Sequence, residues 1–372
     1  MKCAVVGLGI GMAHVAGYLQ SSSAELIAVA DAWEPRRRRV GGTFEQGSMV
    51  VLRPLFTDGI LAKRWEDIGT RVYEDVAQVA ADPDIELVSL CTPDYLHEEH
   101  ALALLQAGKH LILEKPVALS LEGAGRIRAA AEDADRRVAV AYEFRLNPGA
   151  VALKKLIDSG TLGAVRAFNL YHFRTPFRRD KWEAWIQSEE RSGGLLVEET
   201  SHWFDLARFL TGREFADIHT VGTSGVHPDF DYEDVAYCQG HFDDGTPWQI
   251  SHALTGFDFS FSIQVHGTLG TAWLGLKEDA YSSLDNGASE HWGVLSWAPL
   301  NAEPRDARVR VWDSEAGEPE SIRDNVAALV DCFLQDTPFP TTLDDGIAAL
   351  TVALAARESL RSESIIDVGG PL

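Results

Sequence analysis

A lysine at the end of an apolar run is the first candidate for chemistry in this chain. Residues 111–116 read Leu-Ile-Leu-Glu-Lys-Pro, and such a run is typical of a buried strand in a parallel sheet. Pro116 ends the strand because it has no backbone N–H to donate. Ligands of open α/β sheets bind beyond the carboxyl ends of the strands, so Lys115 is predicted to face a ligand. Taken alone, Lys115 would be interpreted as a solvated surface charge, and only its neighbours in the sequence overturn that interpretation.

A carboxylate and an imidazole four residues apart form a second candidate pair. Glu198 and His202 are predicted to share one face of a helix over 198–210. A histidine titrates near neutral pH and can accept a proton, and a carboxylate beside it can orient the ring. A surface Glu–His pair is a common alternative on helices. The preceding Gly193 and Gly194, together with Lys115, favour the functional interpretation.

A basic segment stands out against the acidic background of the chain. Residues 171–182 intersperse aromatic side chains with basic or potentially basic ones, which are His172, Arg174, Arg178, Arg179 and Lys181. Arginine forks suit carboxylate, phosphate or sulfonate groups. A solvated loop that balances nearby acids such as Glu183 and Glu189 is an equally open alternative. The segment therefore predicts either an anion-binding wall or an exposed loop.

The amino-terminal elements predict a dinucleotide-binding unit. A short strand leads into Gly7, Gly9 and Gly11, a helical pattern follows, and a second strand over 26–30 is closed by Asp31. The glycines let the backbone approach a pyrophosphate, whose charge the helix amino-terminus favours, and Asp31 can hold the ribose hydroxyls. Met12 occupies the third glycine position of G-x-G-x-x-G, and Gly11 comes one place early. The turn is therefore either one residue shorter or packed differently.

Four consecutive arginines, Arg36 to Arg39, bear on which nucleotide is bound. They form either a solvated helix start or a clamp for the 2′-phosphate of NADP. Because Asp31 would repel that phosphate, NAD is the predicted cofactor and NADP is disfavoured.

The length and the order of elements predict two domains. A chain of 372 residues exceeds one ordinary core. Strands over 85–90 and 138–142 alternate with helices. Beyond about residue 163 the pattern changes to strands joined by turns, and the predicted strands there are 164–173, 218–226, 235–242, 248–254 and 259–266. We predict an α/β Rossmann domain over 1–146 and an α+β domain with a large, open, mostly antiparallel sheet over 147–372. Helices at about 322–335 and 344–361 are expected to pack back on the first domain, whereas 41–64 carries few signals.

The composition excludes several classes of protein. A formal net charge of −23 argues against nucleic acid or an anionic membrane as partner. No apolar run approaches the length of a bilayer span, and Met1-Lys2 leads directly into a strand, so no secretory leader and a cytoplasmic location are expected. The four scattered cysteines are expected to be free thiols, mostly buried. No metal site is predicted.

Four motifs together resemble one known family. They are Val6-Gly7-Leu8-Gly9, Cys91-Thr92-Pro93, Glu114-Lys115-Pro116, and the stretch from Gly193-Gly194-Leu195 through His202 and Asp205. Over nearly the whole chain the sequence resembles the glucose–fructose oxidoreductase, inositol dehydrogenase and MocA (Gfo/Idh/MocA) family. The resemblance implies a Rossmann domain followed by an open α+β domain. It also implies a nicotinamide cofactor and the oxidation or reduction of a sugar or cyclitol hydroxyl.

The resemblance also assigns roles to residues. Lys115 matches the family's active-site lysine, and His202 matches its acid/base histidine. Glu198 matches an acid that is usually Asp in the family, and the Glu198 side chain is one methylene longer than Asp. The expected cofactor contacts are Gly7, Gly9, Ile10, Gly11, Met12, Asp31, Thr92, Pro93, His97, Glu114 and Lys115, with His97 interpreted as a helix-start residue and not a catalyst. The expected substrate contacts are Lys115, Tyr142, Arg145, His172, Arg174, Arg178, Arg179 and His202.

The sequence therefore predicts an NAD-dependent oxidoreductase acting on a hydroxyl or keto carbon of a sugar, with an anionic sugar favoured by the basic segment. An NAD-dependent glycoside hydrolase of acidic sugars, which would oxidise its substrate transiently, is the alternative. A non-catalytic sensor is a third class, against which the intact Lys115 and His202 argue. A homodimer or homotetramer through the second-domain sheet is expected, because Trp248, Phe259 and Phe261 lie on its strands.

Overall fold

The chain divides into two compact units. The computed structural model describes residues 1–38, 40, 69–174, 184–256, 259–279, 290–303, 307–314 and 318–369. One unit comprises Met1–Glu143 with Glu318–Ile347, and the other comprises Phe144–Gly317 with Ala348–Leu372. The predicted domain boundary followed residue 146. Arg39, the segment 41–64, Arg178, Arg179 and Lys181 lie outside the described residues.

The first unit is built on a parallel sheet. In chain order it contains β1 (Lys2–Val6), α1 (Gly11–Gln20), β2 (Glu25–Ala30), α2 (Glu34–Arg37), β3 (Arg71–Tyr73), α3 (Val76–Ala81), β4 (Leu87–Leu90), α4 (His97–Gln106), β5 (His110–Glu114), α5 (Leu121–Asp133) and β6 (Val138–Ala141). The strands run parallel in the order β3-β2-β1-β4-β5-β6. The predicted Rossmann fold is thus confirmed. Every residue of β4 and β6 is buried, as expected of strands covered on both faces.

The second unit carries a larger sheet. Its elements are α6 (Pro148–Asp158), β7 (Val165–Phe173), α7 (Glu189–Ser192), α8 (Ser201–Thr211), β8 (Asp217–Thr223), β9 (Val235–His241), β10 (Pro247–Ala253), β11 (Phe259–Gly267), β12 (Gly270–Asp279), β13 (Glu290–Pro299) and β14 (Arg308–Ser314). α9 (Glu318–Gln335), α10 (Leu343–Ser362) and β15 (Ile366–Asp367) complete the described chain. The sheet order is β14-β13-β12-β11-β7-β10-β9-β8-β15. Among the described strands of this second sheet, only β7 and β10 pair in parallel, which confirms the mostly antiparallel sheet.

Strands β12, β13 and β14 were not predicted from the sequence. β14 does alternate polar and apolar residues, as Arg308-Val309-Arg310-Val311, so its sequence carried a strand pattern. Arg308, Val309 and Arg310 are nevertheless all exposed.

The buried residues described for the first unit are mainly aliphatic, whereas those between α8 and the sheet of the second unit are mainly aromatic. In the first unit, Val326, Leu329 and Val330 of α9 belong to the same buried cluster as Val15 and Tyr18 of α1. In the second unit, aromatic rings lie between α8 and the sheet. Their ring centroids are 5.5 Å apart for Phe204 and Phe215, 4.7 Å for Phe215 and Trp248, and 5.3 Å for Trp203 and Phe261.

Two residues expected on an exposed oligomeric face are therefore core residues. Trp248 is 2% exposed and Phe261 is 1% exposed, because both side chains pack under α8. The side chain of Phe259 lies outside the described set. Tyr171 of β7 and Tyr237 of β9 are exposed, and their side chains lie on the opposite face, which an interface on this sheet would use.

Two smaller expectations concern the thiols and membranes. The four cysteines are free; Cys3, Cys91 and Cys238 are buried, and Cys332 is partly exposed. Among the described residues, no helix is both long and apolar enough to cross a bilayer.

Candidate active site

The first glycine of the amino-terminal turn is required by its backbone. Gly7 has φ +91°, a left-handed conformation that favours glycine, and its N–H donates to the carbonyl of Ala30 at 2.8 Å. A Cβ at this position would lie 2.2 Å from the Cys91 carbonyl oxygen. The turn therefore tightly joins the carboxyl ends of β1, β2 and β4.

Gly11 fills the packing role of the third glycine one position early. It is the first residue of α1, and a Cβ there would lie 2.9 Å from Val5 Cγ1 and 3.2 Å from Cys91 Cβ. The missing side chain lets the helix start sit against β1 and the end of β4. Met12 is 6% exposed and belongs to the core. The sequence left open a turn that is one residue shorter or one that is packed differently. The structure shows the second, with Gly11 as the packing glycine.

Asp31 closes the loop at the end of β2. Its Oδ2 accepts a hydrogen bond from the N–H of Leu8 at 2.7 Å, and its Oδ1 accepts one from the N–H of Trp33 at 2.8 Å. The carboxylate is 5% exposed. These bonds fix it beside the glycine turn, in the place where a Rossmann acid holds ribose hydroxyls.

The arginine run is only partly solvated, contrary to the favoured prediction. Arg38 is exposed and pairs with Glu34 at 2.7 Å. Arg37, in contrast, donates to the carbonyl of Asp31 at 2.7 Å. Arg36 lies 3.5 Å from Asp31 Oδ2, and its guanidinium is 5.3 Å from the centre of the Trp33 ring. The negative charge of Asp31 is thus partly compensated by Arg36. This weakens the argument that Asp31 excludes NADP by repelling its 2′-phosphate.

Glu114 is held by a buried hydrogen-bonded chain that the sequence did not reveal. His14 Nε2 donates to Glu114 Oε1 at 2.8 Å, His14 Nδ1 bonds Ser89 Oγ at 2.9 Å, and Tyr18 bonds the same Ser89 oxygen at 2.8 Å. Burial raises the pKa of Glu114, but the hydrogen bond from His14 and nearby positive charge outweigh it and lower the pKa below its ordinary value. The ionised carboxylate also accepts from the N–H of Lys115 at 3.2 Å. This chain fixes the backbone at Lys115, which follows β5 directly.

His97 ties two loops of the first unit together. It is the first residue of α4 and is fully buried. Nδ1 lies 2.7 Å from the Pro116 carbonyl oxygen, and Nε2 lies 2.8 Å from that of Thr92. Burial lowers the pKa of His97, although the two carbonyl acceptors act in the opposite direction. His97 therefore joins the loop after β4, which holds Thr92 and Pro93, to the loop after β5.

The second unit places Glu198 and His202 differently from the predicted helix. Leu195–Glu199 forms a π-helical turn, and α8 begins only at Ser201. The N–H of Thr200 donates to the Leu195 carbonyl at 2.9 Å, five residues back, which is the π spacing. The helix predicted over 198–210 is confirmed from Ser201 onward, but Glu198 and Glu199 lie in the π turn that precedes it. Two glycines with positive φ, at 193 and 194, come just before this turn.

His202 lies in the first turn of α8 among aromatic rings. It is 6% exposed, and its ring centroid is 5.3 Å from that of Phe144 in an edge-on arrangement. Phe144 in turn stacks on Trp203 at 4.9 Å. Glu198 is also buried, at 8% exposure. Tyr142 is 1% exposed beyond the end of β6, in the first unit. The catalytic and substrate roles of these residues remain predictions.

The basic residues of the second unit are engaged with acids. Arg145 forms a bidentate pair with Asp205 of α8, and Arg174 Nη1 lies 3.1 Å from Glu199 Oε1. Glu199 and Asp205 were not among the predicted site residues. Their signal is weak in sequence because each meets its partner only through the fold.

His172 is fully buried beside a second histidine. Its neighbour His252 is its register partner on β10, with ring centroids 4.6 Å apart. Burial together with His252 and Arg174 holds the pKa of His172 well below its usual range. Of the predicted basic wall, only His172 and Arg174 lie within the described residues.

Comparison with known proteins places the chain among oxidoreductases. Residues 1–142 match the model of an oxidoreductase family with an NAD-binding Rossmann fold, and residues 150–273 match the Gfo/Idh/MocA C-terminal domain. The inositol 2-dehydrogenase of Rhizobium meliloti (strain 1021) is 25% identical over 386 residues, covering 99% of each chain. The scyllo-inositol 2-dehydrogenase (NAD(+)) of Bacillus subtilis (strain 168) is 27% identical over 301 residues, 79% of this chain and 80% of that protein.

A solved structure gives the same result for the fold. Levoglucosan dehydrogenase in complex with NADH superimposes with a TM-score of 0.77 at 20% identity, covering 99% of both chains. The family matches span most of the sequence, in the order expected for the two domains. The chain belongs to the Gfo/Idh/MocA family of oxidoreductases, and its first domain is an NAD-binding Rossmann domain.

Proposed function

We propose that the protein is an NAD-dependent oxidoreductase acting on a hydroxyl or keto carbon of a sugar or polyol. The observation that carries the proposal is the buried His202 at the start of α8, in a chain whose first domain binds NAD. Two relatives named as inositol dehydrogenases match 79% and 99% of this chain. Their substrates are cyclic polyols by name, and a carbinol is the group that NAD oxidises.

The residues of the first unit fit the cofactor. Gly7 and Gly9 expose backbone where a pyrophosphate would lie, and the amino-terminus of α1 favours its charge. Asp31 is held in place by Leu8 and Trp33, so its carboxylate is oriented before a ribose arrives. When bound, NAD supplies the hydride acceptor or donor.

Lys115 and His202 carry the proton chemistry in this proposal. Oxidation of a carbinol requires loss of its hydroxyl proton, which His202 takes as a general base. The Lys115 ammonium donates a hydrogen bond to the same oxygen and stabilises its developing negative charge. Glu198 orients the imidazole, and the His14–Glu114 pair holds the backbone from which Lys115 projects.

The proposal extends to an acidic sugar, but on fewer residues than the sequence indicated. Arg174 pairs with Glu199 at 3.1 Å, so its charge is already compensated. The anion-binding part of the proposal then depends on Arg178, Arg179 and Lys181, outside the described residues. Truncation of all three to alanine should weaken an acidic sugar and leave its neutral analogue unaffected, because only the acidic group would lose charge-assisted hydrogen bonds.

The experiment that tests the function follows NADH and product release together. Enzyme and NAD are mixed with cyclic polyols, neutral sugars, uronic and sulfonated sugars, and aryl glycosides of the acidic ones. NADH formed in proportion to substrate supports the oxidoreductase. Phenol release with only catalytic NAD supports the redox-neutral glycosidase instead. If no sugar or polyol gives either signal, the proposed substrate class is wrong.

A further inference from the structure

Three side chains of metal-ligand type converge inside the second unit. They are His172, Glu199 and His252, which are 0%, 5% and 0% exposed. One ring nitrogen of each histidine and one carboxylate oxygen of Glu199 all lie within 4.8 Å of one another. His252 Nε2 lies 3.8 Å from Glu199 Oε2. The grouping combines two imidazoles and one carboxylate, and the proposed hydride chemistry uses neither Glu199 nor His252.

The fold brings these residues together by strand register and by the π turn. His172 and His252 are partners on the parallel strands β7 and β10, so both rings leave the same face of the sheet. Glu199 ends the π-helical turn that precedes α8. An extra residue in such a turn changes the direction of the side chains that follow, and π turns often occur at functional sites.

Hydrogen bonds to the other ring nitrogens fix the tautomers. A carbonyl oxygen can only accept, so His172 Nδ1 donates to the Ser260 carbonyl at 2.9 Å. Thr200 Oγ1 donates its proton to the Leu195 carbonyl at 2.9 Å, so it accepts from His252 Nδ1 at 3.1 Å. In the neutral form both histidines therefore present an Nε2 lone pair. Metal-binding histidines are typically oriented in this way by carbonyl or other polar acceptors.

The carboxylate is also oriented, by Arg174. Its Nη1 lies 3.1 and 3.3 Å from the two oxygens of Glu199, and ligating carboxylates are usually hydrogen-bonded in this manner. A guanidinium so close lowers the affinity for a cation, but Glu198 supplies a second buried carboxylate in the same turn. Negative charge on both glutamates adds to the effect of burial in raising the pKa of Tyr232.

We propose that His172, His252 and Glu199 form a binding site for a divalent transition-metal cation, with zinc best suited to the ligands. Two imidazoles and one carboxylate are a ligand set used for zinc, and three protein ligands leave a position for water or another oxygen. Ligand atoms about 2.1 Å from a tetrahedral ion are about 3.4 Å apart, so the three side chains close inward modestly on binding. The sequence predicted no metal site, because the ligands are far apart in the chain.

The test uses the full-length protein after chelator treatment. Calorimetric titration with zinc should give one site per chain. Glu199→Gln and His252→Asn should each lower the affinity by more than the roughly tenfold to hundredfold cost of losing an outer-shell partner. Glu214→Gln and His241→Asn, which change exposed side chains, should bind zinc like the wild type. No zinc binding by the wild type, or unchanged binding by both ligand variants, would overturn the proposal.

A second measurement covers the case in which the ligand variants do not fold. Cobalt added to the wild-type protein should give the intense visible absorption of a four- or five-coordinate ion, and zinc should raise the melting temperature. Only the weak bands of six-coordinate hydrated cobalt, with no change in melting temperature, would contradict the site. Neither readout requires catalytic activity, so the outcome is independent of the proposed dehydrogenase function.

Discussion

Arg145 donates two hydrogen bonds to Asp205, from Nε to Oδ2 at 2.7 Å and from Nη2 to Oδ1 at 2.5 Å. Asp205 lies on α8, three residues after His202. Both side chains are buried, at 7% and 1% exposure. The pair anchors the helix that carries the proposed base. We therefore propose that Arg145 positions this helix, whereas the resemblance alone suggested contact with substrate.

Asp205→Asn should destabilise the protein by about 3–5 kcal/mol, because it leaves a buried guanidinium without its counter-charge. Urea unfolding measures the free energy of unfolding. The control lies on the same helix, where Arg208 pairs with Glu214, whose side chain is 60% exposed. Glu214→Gln should cost about 0–1 kcal/mol. Equal losses in the two variants would contradict the role assigned to Asp205.

Lys115→Ala and His202→Ala should each reduce turnover by about a hundredfold to ten-thousandfold, the usual contribution of an acid–base group. Neither residue is proposed to hold the nucleotide phosphates, so NAD affinity should change little. Steady-state rates on the substrate identified by the sugar panel, and calorimetric titration with NAD, provide the two measurements. Near wild-type turnover in either variant would show that the proposed proton chemistry uses other residues.

The preference for NAD over NADP should depend on Asp31. Asp31→Asn removes the charge that repels a 2′-phosphate and releases Arg36, now 3.5 Å from the carboxylate, to bind that phosphate. The ratio of NADP to NAD affinity should rise by about tenfold or more, equivalent to roughly 1.4 kcal/mol. Glu34→Gln, at an exposed acid that pairs with Arg38, should leave the ratio unchanged. Tighter binding of NADP than NAD by the wild type would refute the preference itself.

The elements found from sequence are those whose burial creates a local pattern. β4 and β5 were predicted because most of their residues are buried apolar side chains, which yields short apolar runs. The glycine turn was equally visible because Gly7 needs a left-handed backbone. Asp31 was identified from its distance along the chain. Such features depend on neighbours within a few residues and can be read without tertiary structure.

The parts of the site missed from sequence depend on long-range pairing. His252 meets His172 only because β10 pairs in parallel with β7. His14 meets Glu114 across the start of α1 and the end of β5. Glu199 is brought into position by a π turn, although α-helical spacing drew attention to Glu198 instead. A single sequence shows residue types but not register, so these contacts had no recognisable signal.

Protein stability should decrease as pH falls below about 6.5, the ordinary pKa of histidine. Burial lowers the pKa of His97 in the folded state, so near pH 6 the unfolded state binds more protons and stability rises with pH. The stabilisation is present above 6.5 and is lost as pH falls toward the lower folded pKa. His97→Asn should flatten this slope. Urea unfolding across the pH range provides the measurement.

Comparison at pH 8 supplies the control for that experiment. There His97 is neutral in both states and donates to only one of the Thr92 and Pro116 carbonyls, so the difference between wild type and His97→Asn reports the loss of that hydrogen bond and of the packing of the ring. Any further change in the stability difference between the two proteins at lower pH reports the titration of His97. If wild-type stability instead rose relative to the variant as pH fell, the two carbonyls would be holding His97 as an imidazolium.

The open face of the second sheet should form a homo-oligomeric interface. Tyr171, Tyr237 and Val221 are 43%, 45% and 52% exposed. Their strands align them in one row across β7, β10, β9 and β8, with Ser251 between the two tyrosines. Exposed aromatic and aliphatic side chains in one row are typical of a surface that another chain covers. Light scattering at micromolar concentration should give the mass of a dimer or tetramer.

Tyr237→Asp should shift that mass toward the monomer, because a charge would be buried without a partner in the interface. Leu269→Asp is the matched control, since Leu269 is 61% exposed but lies in the turn between β11 and β12, away from the row. It should leave the oligomer intact. The interface predicted from sequence relied on Trp248 and Phe261, which are core residues here, so this prediction stands on a different set of side chains. A monomeric wild type, or dissociation by Leu269→Asp but not by Tyr237→Asp, would exclude this face.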